Sequence, residues 1–300
     1  MSSDLEKDQL IDSFLSNLRL EKGLSENTIK AYSADCHSFS NWLLTKRASD
    51  IKKTDEMDIK LYLKNLHGLN LSYTTINRKL SSLKHFFIFL NKKRYVQNNP
   101  VTNFSGLKNT KPLPKSLSIT DVNMLLNAPD SSNFIGLRDK AMLELMYATG
   151  VRISELINLQ YTNIDFTRSL IKVMGKGGKE RMIPFGENAL YWLTEYVEYR
   201  RTNNLSLKSR DFFVSQQGKK MTRQAFWHRV KQYLAISGLS DDVSPHTLRH
   251  AFATHLLNNG ADLRSVQMLL GHSDLSTTQI YTHIAKQRLS DMVKEHHPRG

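Results

Sequence analysis

One short stretch, SGLKNTKPLPKS at residues 105–116, constrains the fold more than any other, because it divides the chain into two parts. It combines Gly, Pro and Lys with little apolar content, which is typical of a linker between domains and not of a packed core. We therefore expect a first domain over residues 1–108, a linker over residues 109–116 and a second domain over residues 117–300. A chain of 300 residues is long enough for two domains of ordinary size, each with its own core.

The residues before the linker show helical periodicity in three segments. LSENTIKAYSADCHSFSNWLL predicts a helix with Ser25 as its N-cap. TDEMDIKLYLKNLHG predicts a helix that begins at Thr54 and stops at Gly68. SYTTINRKLSSLKHFFIFLNKKR predicts a third helix, and its apolar stripe consists of Tyr73, Ile76, Leu80, Leu83, Phe87 and Leu90.

The opposite side of the third helix carries a row of hydroxyls, amides and cations. A solvated surface explains such a row. Short hydroxyls and amides between cations nevertheless suit contact with the DNA backbone or a DNA groove better than a random charged surface does. The candidate DNA-binding residues are Thr74, Asn77, Arg78, Lys84 and, in the second domain, Arg223.

The second domain is predicted to be helical around a single hairpin. SITDVNMLLNA and GLRDKAMLELMYATG predict two helices, the second ending at Gly150. SLIKVMGKGGKERMIPF flanks a Gly-rich turn with β-branched and apolar runs, which predicts a β-hairpin. TRQAFWHRVKQYLAISG and three further helical segments follow. The fold class is therefore mainly α with a small β-sheet.

The net charge is the strongest bulk signal: +14 at pH 7, with a pI near 9.7. Residues 1–110 hold 17 Lys and Arg against 11 Asp and Glu, which gives +6, so the remaining residues carry +8. The basic character is therefore spread over both domains. A merely basic protein remains one explanation, and a nucleic acid contacted by both domains is the other, because phosphate neutralisation dominates nucleic-acid affinity.

Cysteine content and the N-terminal segment indicate a compartment. Cys36 is the only cysteine, which excludes an intramolecular disulfide and fits a reducing environment. The start, MSSDLEKDQL, is charged and lacks the apolar core of a signal peptide, and the apolar run HFFIFL is too brief to cross a bilayer. We expect a cytoplasmic protein without membrane insertion.

The stretch SPHTLRHAFATHLLNNG at residues 244–260 predicts a helix whose first turn attracts anions. Ser244 is a suitable N-cap and Pro245 suits the first helical position. His246 and Arg249 then lie on one face, beside the unpaired backbone N–H groups of the helix start. Arg249 offers a planar fork for two phosphate oxygens, and His246 can donate a hydrogen bond or move a proton.

A metal site is the alternative for these histidines. His246 and His250 are spaced i, i+4, as in a zinc-protease helix, but Thr247 stands where that motif needs a Glu. His250 and His255 fit partly buried polar residues that neighbours satisfy. The anion interpretation is favoured, and no metal is expected.

Four more residues extend this set. Arg152 follows Gly150 at the start of another helix and is three residues from Glu155, a possible salt-bridge partner. Lys176 lies in the turn GKGGK, where no GK[ST] supports a phosphate-binding loop of the Walker type. His272 follows Gly271, a predicted helix C-terminus, and Tyr281 lies in the second turn of LSTTQIYTHIAKQRL, which begins with the predicted capping pair Ser276 and Gln279. Alone, Tyr281 would be an ordinary core or surface tyrosine.

The segments ATGVRISEL, GKGGKER, SPHTLRHAFATHLL and LLGHSDLSTTQIYTH together closely resemble the tyrosine recombinases of the λ-integrase family. The resemblance covers essentially the whole chain. It is specific in residues 117–300 and looser in the N-terminal domain. It implies a helical, SAM-like core-binding domain that clamps DNA, followed by an α+β catalytic domain. It also implies an activating pocket and a nucleophile, consisting of Arg152, Lys176, His246, Arg249, His272 and Tyr281.

The resemblance further implies a reaction and partners. Tyr281 would form a 3′-phosphotyrosyl bond and release a 5′-hydroxyl, with no cofactor. Within the family, the likeness is to recombinases that act at dif-type core sites on double-stranded DNA and resolve chromosome dimers at cell division. These imply a heterotetramer with a XerC-like recombinase, a Holliday junction and an FtsK-like translocase. The C-terminal segment would dock on a neighbouring protomer, although packing on its own subunit is an equal expectation.

Three rival functions share some of these features. Another tyrosine integrase or a type IB topoisomerase-like enzyme would use the same phosphotyrosine chemistry. A non-catalytic DNA-binding protein would explain the charge but not a cationic set around one tyrosine. A metal-dependent nuclease or transposase needs a trio of carboxylates that the motifs lack.

Overall fold

A computed structural model of the chain describes residues 2–22, 24, 26–47, 49–106, 117–175, 178, 180–203, 209–271 and 283–300. Contacts between residues divide the chain into two compact units, Met1–Pro112 and Leu113–Gly300. The fold is mainly helical with one small antiparallel sheet, so the predicted fold class is confirmed. The predicted linker, residues 109–116, lies outside the described residues. Across the described ranges, every helix is too short or too polar to cross a lipid bilayer.

The described part of the first unit consists of four α-helices and two short helical turns. Aromatic rings fill its centre, where the Phe14 ring lies 5.2 Å from that of Phe86 and 5.6 Å from that of Phe89, between centroids. Cys36 is fully buried beside them. The elements are α1 (Ser2–Lys22), α2 (Glu26–Trp42), a π-helical turn (Leu43–Arg47), a 3-10 turn (Ile51–Lys53), α3 (Glu56–Gly68) and α4 (Tyr73–Lys92).

The three predicted helices of this unit are present, with two local differences. Helix α3 begins after Asp55, because Asp55 and Asp58 cap each other's backbone N–H groups at 2.8 and 3.2 Å, while Thr54 closes the preceding 3-10 turn. The predicted stripe of α4 is buried except for Tyr73, which is 46% exposed. Tyr73 is the first residue of α4 and packs edge-on against His67. The predicted cap Ser25 lies outside the described residues.

The second unit packs helices around a three-stranded sheet of order β1-β2-β3. The predicted hairpin is confirmed: β2 and β3 pair antiparallel, with Ile171 opposite Ile183 and Val173 opposite Arg181. The two-residue strand β1 was not predicted. The elements are α5 (Ile119–Asn127), α6 (Phe134–Thr149), α7 (Ile153–Ile157), a 3-10 turn (Tyr161–Asn163), β1 (Ile164–Asp165), β2 (Leu170–Met174), β3 (Glu180–Pro184), α8 (Glu187–Thr202), α9 (Arg223–Ile236), α10 (Pro245–Asn258), α11 (Leu263–Leu270) and α12 (His283–His296).

The end of the chain packs on its own subunit. Leu289 and Val293 of α12 are buried in the core of the second unit. The last residues approach the start of α8 so closely that a Cβ on Gly186 would lie 2.2 Å from the Arg299 carbonyl oxygen. The Arg299 guanidinium pairs with the buried Glu144 of α6. Residues 289–300 therefore pack on their own subunit, and docking of the C-terminal segment on a neighbouring protomer stays an expectation.

Candidate active site

Helix α10 begins as its sequence predicts. The Ser244 hydroxyl accepts a hydrogen bond from the Thr247 N–H at 3.3 Å, and Thr247 Oγ1 accepts from the Ser244 N–H at 3.1 Å. Pro245 occupies the first helical position, where the missing N–H costs nothing. His246 is exposed in the first turn and Arg249 is half-buried one turn further on. The cap therefore fixes the backbone from which both side chains project.

Arg249 connects the ends of two other helices. Its Nη1 donates to the carbonyl oxygen of Gly150, and its Nη2 donates to that of Leu270 at 2.6 Å. Gly150 ends α6 in the left-handed conformation, with φ of 59°, and a Cβ there would lie 2.4 Å from the Phe252 ring. Glycine is thus required both by the backbone and by the close approach of α10.

Arg152 lies directly after Gly150 and is held by Glu155, as the sequence allowed. Its Nη1 donates to Glu155 Oε1 at 2.8 Å, and its backbone N–H donates to Glu155 Oε2 at 2.8 Å. Arg181 of β3 donates to both oxygens of the same carboxylate, at 2.9 and 2.8 Å. Its Nε donates to the carbonyl oxygen of Leu269 at 3.0 Å. One carboxylate therefore orients two guanidiniums.

The electrostatics of this cluster are unbalanced. Burial of Glu155 raises its pKa, but hydrogen bonds and charge from Arg181 and then Arg152 outweigh burial and hold the pKa below its ordinary value. Burial lowers the pKa of Arg249 to about 10, and the charges of Arg152 and Arg181 add to this effect against Glu155. Arg249 remains cationic at neutral pH. Among the described residues, Glu155 thus pairs with two guanidiniums and Arg249 pairs with no carboxylate, so an anion is the group that would balance the third charge.

Three predicted site residues, Lys176, His272 and Tyr281, lie outside the described residues, as do the predicted capping residues Ser276 and Gln279. One described chain neighbour, Gly271, borders the arginine cluster. Gly271 follows α11 in the left-handed conformation predicted for a helix end, with φ of 67°. A Cβ on it would lie 3.0 Å from Arg181 Nη1. Strand β2 ends at Met174 and strand β3 begins at Glu180, on either side of the segment GKGGK.

The other histidines of α10 differ in environment. His250 is exposed, whereas His255 is buried. His255 Nδ1 lies 2.8 Å from the Tyr147 hydroxyl, and its Nε2 lies 2.9 Å from the Leu117 carbonyl oxygen. The structural role expected for a satisfied buried histidine therefore describes His255, not His250. Among the described residues, no group of three His, Cys, Asp or Glu side chains is arranged to hold a metal ion.

The candidate DNA-binding residues of α4 share one helix side. Thr74 is exposed, and Asn77 and Lys84 are half-buried. Arg78 is partly committed within the unit, because Nη1 pairs with Asp35, a carboxylate that also accepts from Lys79 at 3.2 Å. The side chain of Arg78 is nevertheless 44% exposed. Arg223, the first residue of α9, is exposed after the cap Thr222.

Arg181 is the member of the cluster that the sequence analysis missed. In β3 it is buried, as are Ile183 and Pro184, and a basic residue at the start of an apolar strand gives no sign of a role. The available signal was its place in GKGGKER, five residues after Lys176. Its partner Glu155 is 26 residues earlier, a distance that no local pattern connects.

Comparison with known proteins identifies the class of enzyme. The model described as "Phage integrase family" matches residues 115–288, and "Phage integrase, N-terminal SAM-like domain" matches residues 11–94. The chain belongs to the phage integrase family. It is a tyrosine recombinase, a DNA strand transferase whose catalytic domain is the one matched by the first model.

Within this class, the chain is similar to recombinases of the Xer type. It is 48% identical over 297 residues to tyrosine recombinase XerD of Proteus mirabilis, covering 98% of this chain and 95% of that protein. It is 45% identical over 306 residues to XerD of Vibrio cholerae, covering 100% of each. It also resembles the solved XerH recombinase bound to a palindromic difH substrate, in a post-cleavage complex, with a TM-score of 0.69 and 26% identity over 88% of this chain and 78% of that one. The function is therefore XerD-like site-specific recombination, and DNA is a partner.

Proposed function

We propose that the arginine cluster of the second unit holds the phosphate of a DNA strand that is cut and rejoined. One observation carries this proposal: the guanidiniums of Arg152, Arg181 and Arg249 lie close enough to influence one another, and among the described residues Glu155 pairs with only the first two. Within the described residues, Arg249 donates to carbonyl oxygens and to no carboxylate. Guanidiniums oriented in this way, before any ligand arrives, suit the two non-bridging oxygens of a phosphodiester.

The proposed chemistry is a transesterification. Tyr281 Oη attacks phosphorus, a phosphorus–oxygen bond to tyrosine forms at the 3′ side, and the bond to the 5′ oxygen breaks. A tyrosine has an ordinary pKa of about 10, so it needs a proton acceptor and a cationic field at neutral pH. His246 accepts that proton, Lys176 gives one to the departing 5′ oxygen, and Arg152 and Arg249 stabilise the charge that develops on phosphate.

His272 completes the proposed site by donating a hydrogen bond to the phosphate. The phosphotyrosyl bond conserves the energy of the broken phosphodiester, so rejoining to another strand needs no nucleotide hydrolysis. The same groups act in reverse when a 5′-hydroxyl attacks. This is the step that converts two duplexes, joined by four protomers, into a Holliday junction.

The first unit is proposed to clamp the DNA. One side of its helix α4 carries Thr74, Asn77, Lys84 and the partly exposed Arg78. These residues are proposed to contact the DNA backbone or a DNA groove. Arg223 makes the corresponding contact from α9 of the second unit. The proposed domain division is 1–108 and 117–300, with residues 109–116 as the linker.

The proposed biological setting follows from the relatives. Their names and the difH-bound structure support a dif-type core site. A XerC-like recombinase as the second subunit type and an FtsK-like translocase as regulator are proposed from the family resemblance alone. The reaction would then resolve chromosome dimers at cell division, in the cytoplasm where chromosomal DNA is found.

The decisive experiment uses a nicked suicide substrate that carries the core site. The wild-type protein is incubated with it in excess chelator, and the covalent protein–DNA adduct is measured on a denaturing gel. We expect an adduct with wild type and none with Tyr281→Phe, while the affinity of the variant for the same DNA is kept. An adduct of equal yield with Tyr281→Phe would exclude the proposed nucleophile.

A further inference from the structure

Arg181 occupies a junction between three parts of the second unit. It is 6% exposed in β3, the strand that follows the segment GKGGK in the sequence. Its two terminal nitrogens hold Glu155 of α7, and its Nε holds the Leu269 carbonyl oxygen near the end of α11. All of its described hydrogen bonds therefore go to other elements. None of them goes to solvent-exposed groups, which separates Arg181 from a residue that contacts DNA directly.

The two arginines that contact Glu155 have different exposure. Among the described contacts, Arg152 commits only Nη1 of its guanidinium to Glu155, and its side chain is 35% exposed. Arg181 spends both terminal nitrogens on the same carboxylate and is 7% exposed at its side chain. The bidentate pair occupies most of the acceptor capacity of Glu155. Arg152 thereby keeps donors that can reach a phosphate, instead of being drawn fully onto the carboxylate.

The end of α11 is also held by arginine side chains. Arg181 holds the carbonyl oxygen of Leu269, and Arg249 holds that of Leu270. These carbonyls belong to the last turn of α11, where four backbone acceptors have no partner within the helix. Two guanidiniums thus fix the point from which the chain continues through Gly271. Loss of the hydrogen bond from Arg181 to the Leu269 carbonyl oxygen would release the end of α11, and with it the position of Arg249 relative to Arg152.

We infer that Arg181 is a positioning residue for strand cleavage: it occupies Glu155 so that Arg152 remains available to the DNA phosphate, and it fixes the end of α11 beside Arg249. The inference rests on the proposed phosphate site and deepens it. A misplacement of about 1 Å in a reacting group can lower a rate by about 10²-fold, so a buried residue of this kind can control cleavage without touching DNA.

The test measures single-turnover cleavage of the suicide substrate at saturating protein, and DNA affinity separately. Arg181→Leu is expected to lower the cleavage rate by about 10²-fold and to change Kd by less than about threefold. The diagnostic variant adds Glu155→Gln, which keeps an acceptor for the Arg152 N–H but removes the charge that captures its guanidinium. Arg181→Leu with Glu155→Gln is expected to cleave at least about tenfold faster than Arg181→Leu alone.

The matched control changes an ion pair away from the cluster. Arg201 pairs with Glu198 at 2.8 Å on the exposed side of α8, and Arg201→Leu with or without Glu198→Gln is expected to cleave at the wild-type rate. If Arg181→Leu does not fold by circular dichroism, Arg181→Lys with and without Glu155→Gln gives the same comparison.

The outcomes separate the inference from the proposed function. Wild-type cleavage in Arg181→Leu, or a slow variant that Glu155→Gln does not accelerate, would overturn the positioning role and leave the phosphate site intact. A parallel loss of cleavage and DNA affinity in Arg181→Leu would also overturn it, because it would make Arg181 a DNA contact. Absence of adduct in the wild-type protein would instead refute the proposed function itself.

Discussion

Two clusters of buried charge in the second unit contain the same residue types but differ in how their donors are paired. Around Asp139 of α6, Arg138 donates at 2.8 and 2.6 Å, Arg229 at 2.6 Å and the Tyr233 hydroxyl at 2.7 Å. Every one of these donors ends on the carboxylate. Around Glu155, Arg152 and Arg181 do the same, but the third guanidinium, Arg249, does not contact a described carboxylate.

The difference shows how a buried charge cluster is recognised as structural or functional. The Asp139 cluster is closed, since its donors and its acceptor satisfy one another within the fold. The Glu155 cluster is open, since its third guanidinium, Arg249, contacts no described carboxylate; burial, with the charges of Arg152 and Arg181, lowers the pKa of Arg249. An open cluster costs stability in the free protein, and a ligand of opposite charge recovers it. Four measurements distinguish the open cluster from closed sites.

The largest expected effect is on stability, at the closed cluster. Asp139→Asn leaves the buried Arg138 without its counter-charge, and breaking a buried pair in this way costs about 3–5 kcal/mol of unfolding free energy. Urea unfolding would measure the loss. The cleavage rate of the folded fraction should match that of wild type. Asp165→Asn, at an exposed carboxylate, is the matched control.

The open cluster should give the opposite pattern. Arg249→Ala removes one oriented donor from the developing charge, so cleavage of the suicide substrate should fall by about 10²–10³-fold, or about 3–4 kcal/mol. Duplex affinity should stay within about tenfold, because the net contribution of one hydrogen-bonded contact is about 0.5–1.5 kcal/mol. A fall in binding that equals the fall in cleavage would count against the catalytic role assigned to Arg249.

His297, near the end of the chain, is buried with its hydrogen-bonding groups satisfied within the fold, and its titration gives a pH test of such a closed site. His297 Nε2 donates to the Tyr147 carbonyl oxygen at 3.2 Å, and its Nδ1 accepts from the Arg299 N–H at 3.1 Å. Burial, with the nearby His255 and Arg299, lowers the pKa of His297 to about 4. The unfolded chain therefore binds a proton between pH 6.5 and 4 that the folded chain does not.

Stability should consequently decrease as the pH falls through this window, by as much as about 3 kcal/mol from His297, and should not change from this source above pH 6.5. Urea unfolding of His297→Gln at pH 6.5 and 4.5 should show a smaller decrease than wild type. His67→Gln, at an exposed histidine, should behave as wild type. Equal decreases in wild type and His297→Gln would show that His297 is not the titrating group.

The smallest expected effect is stabilisation by a simple anion without DNA. Sulfate at tenfold over its Kd should stabilise the wild-type protein by about 1.4 kcal/mol through the open cluster. Thermal unfolding in sulfate and in chloride at equal ionic strength would measure it. Arg249→Ala should lose most of the difference, and Asp139→Asn should keep it. Equal stabilisation of wild type and Arg249→Ala would assign the anion effect to the general surface charge.

Local sequence patterns predicted the fold where the relevant contacts are local. The hairpin, the Ser244 cap, and the left-handed glycines at 150 and 271 depend on neighbours within a few residues. The pairing of Arg152 with Glu155, three residues apart, was also within reach. The prediction that Tyr73 is buried was wrong, because helical periodicity assigns every turn to the core, whereas the first turn of α4 extends beyond the core.

The remaining features depend on contacts that only the folded chain creates. Strand β1 has two residues and owes its pairing to β2, so no pattern marks it. Arg181 meets Glu155 across 26 residues, and Arg78 meets Asp35 across 43. A basic side chain in a strand or on a polar helix side gives the same sequence signal whether it is solvated or paired. The family resemblance, and not a local pattern, brought the scattered site residues together.

The central claim is that one phenol becomes esterified to DNA within reach of the open arginine cluster. The most direct measurement is peptide mapping, by mass spectrometry, of the wild-type adduct trapped on the nicked core site after nuclease digestion. The account predicts a nucleotide attached through its 3′ phosphate to Tyr281. A nucleotide on any other residue, or one linked through a 5′ phosphate, would contradict it.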